Sequence, residues 1–349
     1  MASTVLLNKH NGVLTKNSEE DTKPKRLIYK TVEGKDRDII HKLYNNPNAL
    51  IDVHPGGILI PTGYKDMGEC ILDMEVHPDD TWVVSYPRTG STWTQELVWL
   101  LGNNLNYEAA SQIPQHIRAP LLEISAVMSN EEDILGYLNT YGNSVDIVGM
   151  LPSPRFIKSH LAWHLLPKQM ETVKPKIIYV ARNPKDMCVS YYHYCSLIHR
   201  MNGGYFEEFC DLFLRGRTPM GPFWDHVLRF WEKRHEPNIL FLKYEDLKKD
   251  LQKEIKKVAK FMEKSLSEDE ISKLEDYLSF GSMQKNPAVN LAPLMSNLRG
   301  EDYMGAKNRP NFIRKGKVGD WKNYMSPELT ARFDKWTEDN IHGTDLSFD

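Results

Sequence analysis

Ser85-Tyr86-Pro87-Arg88-Thr89-Gly90-Ser91-Thr92-Trp93 is the stretch on which the reading of this chain turns. Upstream, Thr81-Trp82-Val83-Val84-Ser85-Tyr86 is β-branched and aromatic and stops at Pro87, the pattern of a short strand. Downstream, Trp93, Leu97, Leu100 and Leu101 fall at i, i+4, i+7 and i+8, so Thr92 to Leu101 is predicted to be a helix. A loop between strand and helix can aim backbone N–H groups and the positive helix end at an anion. Gly90 permits close backbone approach, Thr89, Ser91 and Thr92 offer hydroxyls, Arg88 offers a fixed cation, and Trp93 can stack on a base. The same strand–turn–helix also exists in proteins that bind nothing there. It is not a Walker loop, because GxxxxGK[ST] occurs nowhere in the chain. That points to phosphate or sulfate and away from a kinase using ATP.

The strand-then-helix theme recurs. Phe156 to His160 reads as a short strand or strand end. Lys176-Ile177-Ile178-Tyr179-Val180-Ala181 is a continuous apolar strand, followed by a turn at Asn183-Pro184 and a helix from about Lys185. Asn238 to Tyr244 repeats the pattern, and Leu251, Ile255, Val258 and Met262 stripe the next helix. Ser267 with Glu270 forms a capping box, and Ser326-Pro327 opens a last helix. Apolar strands alternating with amphipathic helices predict one α/β domain with a mainly parallel sheet covered on both faces. Ligands of such sheets bind at the carboxyl ends of the strands.

The 349 residues suit one large domain or two small ones, and no linker-like break interrupts the alternation. The first 25 or so residues are polar and read as a mobile extension, and the main domain is taken as 46–349, leaving 1–45 outside it. Asn46 to Gly63 mixes turn formers with short apolar runs and suggests strands or a flap. A net charge of −3 gives no overall pull toward nucleic acid or an anionic membrane. No apolar run is long enough to span a bilayer, and no secretory leader is visible. Cys70, Cys188, Cys195 and Cys210 form no CxxC pair. A reduced, cytoplasmic protein is the expectation.

Four segments in register resemble the cytosolic sulfotransferase family, whose donor is 3′-phosphoadenosine 5′-phosphosulfate (PAPS). The loop resembles the family's Tyr-Pro-Lys-Ser-Gly-Thr-Thr-Trp. Phe156-Ile157-Lys158-Ser159-His160-Leu161 resembles its Lys-Thr-His-Leu catalytic strand. Arg182-Asn183-Pro184-Lys185-Asp186 through Ser190, and Phe312-Ile313-Arg314-Lys315-Gly316, resemble the segments that hold the 3′-phosphate. Arg118 to Glu123, Tyr244 to Leu247, and Ser279-Phe280 with Met283 are weaker matches. The resemblance implies a three-layer domain with a P-loop-like phosphosulfate-binding loop. It implies His160 as general base, with Lys158 and Arg88 stabilising charge on the transferring group and leaving oxygen. Thr89, Gly90, Ser91 and Thr92 would bind the 5′ end. Trp93, Phe280 and Tyr244 would contact adenine, with Leu278, Ser279, Met283 and Phe312 nearby. Arg182, Ser190, Arg314, Lys315 and Gly316 would hold the 3′-phosphate. A sulfuryl group carries less charge than a phosphoryl group, so fixed side-chain cations can serve, and no metal is expected.

The chain departs from the family in three places: Arg88 replaces the usual lysine, Leu278 replaces a threonine, and Lys322 to Ala331 lacks the Thr-Val pair and glutamate of the dimerisation segment. Monomer and dimer both stay open. The acceptor wall is expected from 51–71, 111–123, 128–149 and 286–309. Ile58, Ile60, Tyr64, Leu121, Met128, Tyr137, Tyr141, Leu291, Leu294 and Met295 lie in these segments and suit a small apolar or aromatic alcohol or phenol. The same active site could dehydrate an allylic alcohol through a sulfated intermediate. A non-catalytic carrier of nucleotide or hydrophobic ligand is the reading from another class, disfavoured by the presence of Lys158 and His160.

Overall fold

The computed structural model describes residues 26–128, 143–199, 201–202, 205–293, 295 and 311–348. Its strands form two sheets. The first is antiparallel, in the order β1 (Ile28–Thr31), β2 (Leu50–His54), β3 (Ile58–Pro61). The second contains β4 (Thr81–Val84), β5 (Phe156–Ser159), β6 (Lys176–Ala181) and β7 (Ile239–Lys243), ordered β5-β4-β6-β7 with every pair parallel.

The continuous apolar runs of the parallel sheet serve two cores at once. Successive side chains point to opposite faces. Trp82, Val84, Ile157, Ile177 and Tyr179 therefore enter one cluster, with Met187, Val189, Val227 and Phe230 from the helices Pro184–Ile198 and Phe223–Glu232. Val83, Phe156, Ile178 and Val180 enter the other, with Leu97, Leu100, Ile255, Val258, Ile271 and Leu274. Those six come from the helices Ser91–Gly102, Leu251–Phe261 and Glu268–Tyr277. This is the expected three-layer arrangement.

Helix starts follow local chemistry. The Ser267/Glu270 capping box is formed. Ser326 accepts from the Leu329 N–H ahead of Pro327, and Asn183 accepts from the Lys185 N–H ahead of Pro184. Lys322 and Asn323, at the start of the altered dimerisation segment, end a short 3₁₀ turn, Asp320–Asn323, before the last helix, Pro327–Ile341.

The boundary expected at residue 46 is wrong. Strand β1 pairs along its length with β2, Ile28 opposite His54 and Thr31 opposite Ile51. The helix Gly34–Tyr44 buries Ile40 and Leu43 completely. Its other positions are largely charged, which made the segment read as solvent-bound, yet two apolar residues at i, i+3 suffice to dock it. Arg217 then bridges Asp36 at 3.0 Å and Asp52 at 2.6 Å, tying helix to sheet. The rest of the expected extension, 1–25, lies outside the described residues.

No metal-ligand cluster was visible in the sequence, but His77, Asp79 and Asp80 come together at the amino end of β4. Their oxygens are already in use. Ser153 Oγ donates to Asp79 at 2.7 Å, the His77 N–H donates to Asp80, and the Arg155 guanidinium donates twice to Asp80 at 2.7 and 2.6 Å. Both partners of the Arg155–Asp80 pair are buried. Removing one member of such a pair leaves an uncompensated charge in the interior. Asp80→Ala should therefore lower unfolding stability by about 3–5 kcal/mol, measured by urea denaturation. A loss below about 1 kcal/mol would mean that the pair is not needed to close this end of the sheet.

Candidate active site

Each parallel strand delivers a functional group at or just beyond its carboxyl end. The loop Ser85–Gly90 follows β4, His160 follows β5, Arg182 follows β6 and Tyr244 follows β7. Lys158 is on β5 itself. These residues share one cavity of about 1070 Å³.

The loop after β4 is bent for an anion. Arg88 (φ 68°) and Gly90 (φ 113°) both adopt left-handed backbone around Thr89. Such alternation gathers successive N–H groups into a concave nest. A Cβ on Gly90 would meet the Tyr244 ring at 2.8 Å, so only glycine fits. Arg88 is buried. Its Nε donates to Ser190 Oγ at 3.2 Å, one terminal nitrogen donates to the Phe312 carbonyl at 2.7 Å, and the guanidinium lies over Phe312 and Tyr194. Burial is the main force taking its pKa down to about 10, with Arg182 and Arg314 adding repulsion.

On β5 the Lys158 ammonium is held down to about 8 by burial and then by Arg88, while Glu123 pulls the other way. His160 is pushed well below the ordinary histidine range by burial and by Lys158. Its Nδ1 lies 2.8 Å from the Ser85 carbonyl, an acceptor only, so Nδ1 carries the proton and Nε2 keeps its lone pair. The main chain of His160 is held from both sides. Its N–H donates to Glu123 at 2.6 Å, and His226 Nε2 donates to its carbonyl at 3.1 Å.

The residues expected to hold the nucleotide combine cations with aromatic rings. The Nε atoms of Arg182 and Arg314 are buried and have no hydrogen-bond partner among the described residues. Arg182 stacks on Tyr244 at 4.3 Å, and Trp93 meets the same ring edge-on at 5.8 Å. Gly316 (φ 61°) lies so close to Phe280 that a Cβ would sit 2.3 Å from its ring. Arg314 and Lys315 are paired with Asp320 at 2.8 and 2.9 Å. Burial would raise the Asp320 carboxyl, but bonds from Lys315, Arg314 and Asn323 take it to about 2.

Most of the expected nucleotide residues line the cavity: Arg88, Gly90, Ser91, Thr92, Trp93, Arg182, Ser190, Tyr244, Leu278, Phe280, Met283, Phe312, Arg314, Lys315 and Gly316. Two do not. The Thr89 hydroxyl turns inward and donates to the Tyr86 and Val180 carbonyls, fastening the loop to β6. Ser279 caps the helix Phe280–Lys285, its Oγ accepting from the Ser282 N–H. Lys248 was missed. It stands over Trp93 at 5.4 Å, one helical turn after Tyr244, and that i, i+4 spacing was the available signal.

Of the expected acceptor wall, Leu121, Met128 and Leu291 line the cavity. Ile58 and Ile60 belong to the core instead, because β3 buries all its side chains, and Tyr64 and Met295 join the same core. Tyr137, Tyr141 and Leu294 lie outside the described residues. The sequence reading also passed over Ile124, Ile147, Met150, Leu151, Tyr194 and Ile198. Tyr194 and Ile198 follow Ser190 at one and two turns of its helix.

Residues 78–345 match the family described as Sulfotransferase domain. Luciferin sulfotransferase of Photinus pyralis is 39% identical over 330 residues, covering 90% of this chain and 87% of that protein. Sulfotransferase 1B1 of Mus musculus is 37% identical, covering 80% of this chain and 88% of its own length. Among solved structures, retinol dehydratase in a complex with retinol and PAP has a TM-score of 0.83 at 32% identity, over 93% of this chain and 100% of that one. Retinol dehydratase with androsterone and inactive cofactor PAP gives 0.82 at 33% identity, over 93% and 98%. A loop with left-handed backbone at Arg88 and Gly90, several cations and a histidine poised through Nε2 thus meet at one cavity within a matching domain and matching relatives, and the chain belongs to the sulfotransferase family as an enzyme of that class.

Proposed function

We propose that this enzyme transfers the sulfuryl group of PAPS to the hydroxyl of a small apolar or aromatic alcohol or phenol, leaving 3′,5′-adenosine bisphosphate. The observation that carries this reading is His160: a buried, neutral imidazole whose Nε2 lone pair is free because Nδ1–H is committed to Ser85. His160 takes the acceptor proton at Nε2 as the acceptor oxygen bonds to sulfur. Lys158 and Arg88 meet the negative charge left on the bridging oxygen as its bond to sulfur breaks. Ser91, Thr92 and the Gly90 backbone hold the 5′ end at the helix N-terminus. Arg182, Ser190, Arg314, Lys315 and the Gly316 backbone take the 3′-phosphate. Trp93, Phe280 and Tyr244 flank the adenine. The apolar wall of Leu121, Ile124, Met128 and Ile147 supports an apolar acceptor.

Because Lys158 and Arg88 supply the positive charge, no metal is needed. A cytoplasmic location accords with the cysteines, none of which is in a disulfide. No helix among the described residues is long and apolar enough to cross a membrane.

Dehydration of an allylic alcohol through its sulfate ester is the second reading. The likeness to retinol dehydratase supports it, as does the apolar wall, which would shelter a carbocation-like departure from water. Product analysis with an allylic alcohol separates the two: a sulfate ester supports simple transfer, an alkene the dehydration.

With sulfur-labelled PAPS and a panel of phenols, sterols and aliphatic alcohols in EDTA-containing buffer, the wild type should transfer label. His160→Ala should be slower by on the order of 10²–10⁴-fold. Wild-type activity that appears only on adding Mg²⁺ would overturn the metal-free reading, and an unimpaired His160→Ala would remove the base.

The pH profile follows from the same two residues. His160 must be neutral, and its lowered pKa leaves it neutral throughout the range above its ordinary value near 6.5. Lys158 must be charged, and it loses its proton at about 8. Turnover should thus be flat from about pH 6.5 and fall above about pH 8. A rate still climbing at pH 9 would show that the Lys158 ammonium is not required.

A further inference from the structure

The segment Pro120 to Glu123 forms a short ladder along the free edge of β5. The Lys158 N–H donates to the Pro120 carbonyl at 2.9 Å, and the Leu122 N–H donates to the Lys158 carbonyl at 2.9 Å. This ladder carries the Glu123 carboxyl into the interior, where it is fully buried. One oxygen accepts the His160 N–H at 2.6 Å, and the other accepts the Ser159 hydroxyl at 3.0 Å. Ser159 Oγ in turn accepts the Leu161 N–H at 3.1 Å. The Glu123 carboxyl thus grips three consecutive residues at the strand end, directly or through one hydroxyl.

We propose that Glu123 is a positioning residue for sulfuryl transfer: its buried carboxylate fixes the strand end bearing His160 and supplies the counter-charge for the Lys158 ammonium. The proposal rests on the roles given above to Lys158 and His160, and it adds a residue to which the family resemblance assigned no part.

Two charged groups among the described residues act on Lys158: Arg88 from the loop after β4 and Glu123 from the edge ladder, while His160 follows it just past the same strand. Burial and Arg88 both favour the neutral amine, and Glu123 alone favours the ammonium. Glu123 is itself pushed up to about 7 by burial, against the pull of His160 N–H, Ser159 and Lys158. Above that pH it is a carboxylate, and Lys158 keeps its proton to about 8. Its other contacts, to N–H and O–H donors, would be made equally well by an amide oxygen. Glu123→Gln therefore removes the charge and leaves the mechanical link.

The Lys158 titration can be read directly by NMR on protein carrying ¹³Cε,¹⁵Nζ-lysine, the signal being assigned by its loss in Lys158→Met. In Glu123→Gln the Lys158 midpoint should fall by about one unit or more, and in Glu123→Asp it should return toward the wild-type value. In the unsubstituted protein, the Lys158 signal should show a second inflection near pH 7 as Glu123 ionises. This last reading requires no variant to fold. An unmoved midpoint in a folded Glu123→Gln protein, or a single-step wild-type curve, overturns the proposal.

Activity separates this proposal from the reading on which it rests. If the Lys158 midpoint falls and the alkaline limb of turnover falls with it, both stand. If the midpoint falls while the limb stays, Glu123 holds the ammonium as proposed, and it is the role of Lys158 in transfer that fails.

Discussion

A parallel sheet must send every crossover back over its faces, so all its carboxyl ends open on one edge. In this enzyme four strands end there side by side, and each donates the next residue or loop to a common cavity. Neighbouring strands lie about 4.7–4.9 Å apart, so groups on adjacent strand ends are within interaction range without any long loop. The arrangement β5-β4-β6-β7 thereby fixes the order across the site: His160 at one side, the anion loop next to it, then Arg182, then Tyr244. The placement of the histidine and lysine on the β5 side and of the aromatic ring on the β7 side follows from strand order.

That convergence has an electrostatic cost. Arg88, Lys158 and Arg182 are brought together in low dielectric with few carboxylates near them, and the lowered pKa values of Arg88 and Lys158 register the strain. Two devices contain it. Aromatic faces cover the guanidinium groups, Phe312 and Tyr194 over Arg88 and Tyr244 under Arg182. Asp320 neutralises Arg314 and Lys315 at the edge of the same cavity. An anionic ligand relieves the remaining repulsion, so binding and charge relief are the same event.

Legibility in the sequence tracked the range of the interaction involved. The β6 run, the capping box at Ser267 and the helix after Gly90 are specified within a few residues, and all three were readable. Residues on or beside strand ends were readable for the same reason: position one past a strand is a local property. The docking of residues 26–45 was not, because it depends on β1 finding β2 and on Arg217, far along the chain, meeting Asp36 and Asp52. Thr89 looked like a ligand hydroxyl and turned out to be a fastener, since residue type does not reveal which way a loop side chain points. Glu123 is the sharpest instance. A lone glutamate after Leu121-Leu122 carries no sign of burial, and only the edge ladder beside β5 reveals it.

The substitution of Arg88 for the family's usual lysine can now be argued in terms of shape. An ammonium is a compact point charge, while a guanidinium presents a planar face and a fork of donors. Both features of the guanidinium are in use: the fork spans Ser190 and the Phe312 carbonyl, and the plane lies against Phe312 and Tyr194. Ser190 and, one turn later on the same helix, Tyr194 both border the cavity. Arg88 is consequently packed among Ser190, Tyr194 and Phe312, and a lysine could reproduce its charge but not those contacts. The arginine, Tyr194 and Phe312 form a single packing unit, so the choice of cation and the shape of this part of the cavity wall are coupled.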